Sequence, residues 1–107
     1  MTPNEGESGA MPGAKGYIIG HVTVTNPQAY GAYVERDTPI LESYGARFIV
    51  RAGRSIAPEG PMKERHVVME FPSFEAAKSA YYSEEYQAIV GIRFDNAQSD
   101  IVIVEGT

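Results

Sequence analysis

The sequence predicts an α+β domain: a four-stranded antiparallel sheet with its helices on one face. Three observations predict it. Four short runs are rich in β-branched and aromatic residues, as strands are. Two longer stretches between them carry apolar residues at helical spacing. The order is strand, helix, strand, strand, helix, strand, a split βαβ repeat and hence the ferredoxin-like arrangement.

The first strand is Tyr17 to Val24. Ile18, Gly20, Val22 and Val24 form its drier face, expected under the helices; Tyr17, Ile19, His21 and Thr23 form a mixed face. Asn26-Pro27 then opens a helix, with Asn26 as N-cap and Pro27 at the first helical position. Tyr30, Tyr33, Val34, Leu41 and Tyr44 make its apolar stripe. Pro39 interrupts the stripe, so a kink or two helical pieces meeting near Asp37 are expected. Gly45 is a natural stop.

Ala46 to Ala52 is the second strand, with Phe48 and Val50 on one face and Arg47, Ile49 and Arg51 on the other. Residues 53–62 hold turn chemistry. Glu64 to Phe71 is the third strand, where Val67, Met69 and Phe71 alternate with His66, Val68 and Glu70. Pro72 ends it, and Ser73 caps a helix whose first turn carries Glu75. Phe74, Ala77 and Tyr81 mark the buried side of that helix. Ser83 reads as a second cap, with an apolar face of Tyr86, Ile89 and Val90 running to about Phe94. Residues 95–99 read as a polar loop. Ile101 to Val104 is the last strand, and its unbroken apolar run predicts a central, doubly buried position.

The length of 107 residues suits one domain, here residues 17–107. Residues 1–16 hold four Gly and two Pro and little to bury, so they are expected to form a flexible tail. There is no cysteine, hence no disulfide framework and no thiolate metal site. A net charge of −5 argues against nucleic acid. No apolar run reaches membrane-spanning length and no signal peptide is evident, so a cytoplasmic protein is expected.

With the helices on one side, the other sheet face presents Tyr17, Ile19, Ile49 and Val68. A patch of this kind marks an interaction surface. A second copy laid face to face would cover it. His21, Arg47, Arg51, His66 and Glu70 share that face, which suits a partly hydrated pocket between two sheets.

The stretches GYIIGHVTVTNPQAYGAYV, YGARFIVRAG, HVVMEFPSFEAAKSAYYSEEYQAI and SDIVIVEG resemble a bacterial family, Domain of Unknown Function thirteen-thirty. The resemblance covers residues 14–106 and is most specific in the EFPSFEAA and YYSEEYQ segments. It implies a dimeric α/β barrel, similar in architecture to cofactor-free monooxygenases and muconolactone isomerases. It carries over no catalytic residues, since the family has no agreed activity.

His21 and Glu70 are the first candidate pair. The first and third strands are neighbours at the sheet centre, so a carboxylate that orients an imidazole would give a general base. The competing reading is structural, with Glu70 paired to Arg47 or Arg51. Arg47 and Arg51 are candidates to bind a carboxylate or phenolate, or else charges that blunt an edge strand. Tyr17 and His66 complete the candidate substrate contacts. No metal is expected, because no ligand spacing such as His-x-x-x-His occurs. No cofactor is expected, because no glycine-rich turn leads into a helix. Two functions follow from these residues. One is a cofactor-independent isomerase or oxygenase acting on a small organic molecule. The other is a non-catalytic module whose cavity is closed by internal ion pairs.

Overall fold

The computed structural model describes residues 12–107. The elements are β1 (Gly16–Val24), α1 (Pro27–Ser43), β2 (Arg47–Arg51), β3 (Arg65–Phe71), α2 (Phe74–Tyr81), α3 (Glu84–Gln87), α4 (Val90–Asn96) and β4 (Ala97–Glu105). The four strands make one open antiparallel sheet in the order β2-β3-β1-β4. This is the expected α+β, ferredoxin-like architecture. The sheet does not close on itself, so one chain is not a barrel. The expected tail lies mostly in residues 1–11, outside the described part; Gly16 already belongs to β1.

Local grammar explains the element ends. Three predicted caps form: Asn26 Oδ1 accepts from the Ala29 amide, Ser73 Oγ from Ala76 and Ser83 Oγ from Tyr86. Beyond α1, Gly45 adopts φ +97°, and the Gly45 and Ala46 amides bond to the Glu42 and Leu41 carbonyls. That is a Schellman closure, which needs a left-handed residue at the glycine.

The core lies between the sheet and the helices. Ile18 and Val22 from β1, Leu41 from α1, Met69 and Phe71 from β3, and Ala77 and Ala80 from α2 are all buried there. The drier face of β1 is thus the helix-covered face, as alternation predicted. Truncating a side chain as buried as Leu41 costs about 2–5 kcal/mol.

Four expectations are corrected. β4 lies at a sheet edge, and its outward Val102 and Val104 are 49% and 40% exposed; its apolar run serves two different surfaces rather than a doubly covered centre. Pro39 does not divide α1. The carbonyl it leaves without a donor belongs to Glu35, on the exposed side of the helix, where solvation replaces the lost bond. No loop spans residues 95–99, since α4 runs into β4 at Ala97. On α4 itself Arg93 is buried and Phe94 exposed, the reverse of a simple hydrophobic stripe.

A β-bulge alters β2. Arg47 and Phe48 pair with Glu70 and Met69, but Val50 and Arg51 pair with Val68 and Val67, leaving Ile49 as the extra residue. The bulge exchanges the two faces of the strand. Val50 joins the open face, and Arg51 turns to the helix side.

Candidate functional site

On the open face, register sorts the side chains into rows across the sheet. One row is Arg47, Glu70, Tyr17 and Val104. The Tyr17 hydroxyl donates to Glu70 Oε2 at 3.0 Å, and Arg47 Nε stands 3.6 Å from Glu70 Oε1. The hydrogen bond to Glu70 raises the Tyr17 pKa. The next row is Val50, Val68, Ile19 and Val102, wholly apolar. Beyond it His66, His21 and Asp100 lie side by side. The two imidazoles meet Nδ1 to Nδ1 at 2.9 Å. Lys63 Nζ holds Asp100 Oδ2 at 2.5 Å and lowers the Asp100 pKa.

The pairing of His21 with Glu70 is therefore not formed. An antiparallel register opposes His21 to His66 and Tyr17 to Glu70, and the apolar row separates the two pairs. Glu70 instead has the structural partner that the competing reading allowed, Arg47. Tyr17, Arg47, His66, His21 and Glu70 share the open face as expected. Arg51 does not.

Arg51 lies at the rim of a second polar group, inside the helix-covered layer. There a cavity of about 50 Å³ opens between α1, α4 and the sheet. Asp37 and Tyr33 reach it from α1, Tyr86 from α3, Arg93 from α4, and Arg65 from β3. Gly20 on β1 leaves part of its floor without a side chain. Asp37 and Arg93 are only 6% and 4% exposed, unusual for charged residues.

Burial pushes the Asp37 carboxyl up to about 6, against the opposing pull of the Tyr33 and Thr38 hydroxyls and of Arg51 and Arg93. The Tyr33 and Tyr86 hydroxyls are 2.5 Å apart, and burial drives both phenols upward, so both are neutral at physiological pH. Arg51 Nη2 donates to Thr38 Oγ1 at 2.6 Å while its guanidinium stacks on Phe48, 3.9 Å from the ring centroid. Thr38 in turn has Asp37 Oδ1 at 3.2 Å and the Val34 carbonyl at 2.8 Å as acceptors for its one proton. Arg93 Nε and Nη2 and Arg65 Nε are buried with no hydrogen-bond partner. Each such donor costs about 1–3 kcal/mol. A carboxylate poised near neutrality, beside buried cations, is the arrangement that proton-transfer sites use.

Asp37 and Arg93 were not among the predicted site residues, although a signal was present. Asp37 falls four residues after Tyr33, and Arg93 seven after Tyr86, each on an apolar stripe. A charge on such a stripe is a buried charge.

The model of a family described as a domain of unknown function, DUF1330, matches residues 15–107. The chain belongs to DUF1330. No curated protein matches it. Among solved structures, this DUF1330 chain is similar to a protein of unknown function from Rhodopseudomonas palustris, with 17% identity and a TM-score of 0.71, over 89% of this chain and 84% of that one. It is similar to SnoaB, a cofactor-independent oxygenase from Streptomyces nogalater, with 10% identity and a TM-score of 0.62, over 88% and 94%. It is also similar to a dimeric ferredoxin-like protein of unknown function from Thermobifida fusca, with 12% identity and a TM-score of 0.50, over 92% and 96%. At these identities the likeness shows the DUF1330 fold alone. Among the described residues, no group of three or more His, Asp or Glu could hold a metal ion, and no helix is long and apolar enough to cross a membrane.

Proposed function

We propose that this DUF1330 protein is a homodimer that binds a small organic molecule between its helices and sheet and moves a proton at Asp37. The observation that carries the reading is Asp37 itself: a buried carboxylate near pH 6, lining a cavity with Tyr33, Tyr86 and Arg93. Above that pH it is a base. It would take a proton from a carbon or oxygen acid, the step that a cofactor-independent isomerisation and a cofactor-independent oxygenation share. The neutral Tyr33–Tyr86 pair spends one of its two protons between its oxygens and would donate the other to the oxygen on which charge develops.

The dimer joins through the open sheet face. The apolar row of Val50, Val68, Ile19 and Val102 is its core, and the rows containing Glu70 and His21 flank it. Tyr17, Arg47, His66, His21 and Glu70 then serve the interface, and the chemistry moves to the other side of the sheet. The dimeric neighbour from Thermobifida fusca and the oxygenase SnoaB support this reading by analogy.

One observation favours the rival, a non-catalytic module. The cavity is small, with room for only a few water-sized groups. Mass spectrometry of the protein purified from cells and then denatured separates the two. A stoichiometric small molecule, lost in Gly20→Val, is expected. Native protein that carries none, and gains none from a cell extract, supports the module.

A further inference from the structure

The cavity lining is charged unevenly. It contains three arginines, Arg51, Arg65 and Arg93, against one acid, Asp37. Arg51 is already engaged by Thr38 and Phe48 and stands close enough to offset Asp37. That leaves Arg65, and Arg93, which hydrogen-bonds the Tyr33 and Tyr86 hydroxyls. Arg65 lies over the Tyr30 ring at 5.2 Å, and Arg93 lies 6.0 Å from the Tyr33 ring and 5.2 Å from that of Phe94. Ring contacts of this kind leave in-plane N–H donors available, and part of the Arg93 guanidinium is spent on the Tyr33 and Tyr86 hydroxyls.

The atoms left without partners are specific. Arg93 lacks them at both Nε and Nη2, which form one edge of its guanidinium, and Arg65 lacks one at Nε. Two parallel N–H donors on one edge match the two oxygens of a carboxylate. A cavity of about 50 Å³ admits a head group of only a few heavy atoms. We propose that the molecule bound here is a carboxylate, its two oxygens seated on the Nε–Nη2 edge of Arg93 with Arg65 as the second donor.

This inference rests on the proposal that the cavity is a small-molecule site. Two probes of one shape separate the two ideas: acetate, which carries the charge, and acetamide, which does not. Each is titrated at matched ionic strength into the full chain labelled with ¹⁵N, and amide shifts are followed. Acetate is expected to move the amides around Tyr33, Asp37 and Arg93 saturably, at least about tenfold more tightly than acetamide. Arg93→Lys, which keeps the charge but loses the planar edge, is expected to weaken acetate by about tenfold or more. Should Arg93→Lys not fold, Arg65→Gln is expected to weaken acetate in the same direction. Equal binding of both probes in the cavity would leave the small-molecule site standing and overturn the carboxylate. Acetate shifts confined to the surface, or unchanged in both variants, would also overturn it. If neither probe moves the cavity amides, the cavity site itself fails with it.

Discussion

Tyr33 on α1 and Tyr86 on α3 meet hydroxyl to hydroxyl, 2.5 Å apart, in the buried space between helices and sheet. Two phenols in such a place can share only one proton along the line between them, and Arg93 hydrogen-bonds both hydroxyls from the side. Tyr33→Phe and Tyr86→Phe are each expected to destabilise the fold by about 1–3 kcal/mol, because each leaves a buried oxygen short of a partner. The double variant is expected to lose less than the sum, by at least about 0.5 kcal/mol. Urea unfolding of all four proteins measures the coupling. Strict additivity would mean that the two hydroxyls do not interact.

Asp37 predicts a pH dependence of stability. Its carboxyl is raised from 3.8 to about 6 in the folded protein, chiefly by burial. Between those values the folded state holds a proton that the unfolded chain releases. Stability from this group is therefore fully present below about pH 4 and is lost as the pH rises through 6. Asp37→Asn removes that slope, and near pH 7 it is expected to gain up to about 3 kcal/mol over the parent. Denaturant unfolding at pH 4, 5, 6 and 7 checks this. A variant that is less stable at pH 7, or that keeps the slope, would show that the carboxylate is held by its cationic neighbours rather than strained by burial.

The open face predicts a separable interface. The dimer is expected at twice the chain mass of 11.7 kDa by light scattering. Val68→Glu places a carboxylate in the apolar row between Ile19 and Val50. It is expected to give a folded monomer whose cavity still binds acetate. A parent protein that is monomeric at micromolar concentration rules out the interface.

Two glycines on the same scaffold should respond in opposite ways. A Cβ at Gly16 would lie 2.3 Å from the Ser73 carbonyl oxygen, because β1 begins directly against the N-terminus of α2. Gly16→Ala is expected to cost about 1–3 kcal/mol. A Cβ at Gly31, within α1, meets nothing within 4 Å, and Gly31→Ala is expected to stabilise by about 1 kcal/mol through helix propensity. Thermal unfolding of the two variants checks both signs at once.

The strands, the caps and the element order were legible because alternation and capping are local. Asn26, Ser73, Ser83 and Gly45 can be read within four residues of themselves. What failed to be legible was long-range. Whether His21 opposes His66 or Glu70 depends on how β1 and β3 slide past each other, and α1 and β2 lie between them in the chain. The bulge at Ile49 is equally silent, since RFIVR reads as five regular residues and only pairing with β3 shows one to be extra. That extra residue is why Arg51 lies on the helix side and not on the open face that strict alternation predicts. Asp37 and Arg93 are legible as charges on apolar stripes, but the cavity they share exists only once α1 and α4 pack on the sheet.

The same bulge leaves the two borders of the sheet unequal. β2 presents a short border, interrupted at Ile49 and flanked by Arg47 and Arg51, all of which hinder docking of another strand. β4 presents nine regular residues, Ala97–Glu105, at the opposite border. Intermolecular strand addition, whether in a swapped assembly or an early fibril, would therefore recruit along β4. A proline or lysine placed there is the conservative way to make a poorly soluble variant of this chain tractable.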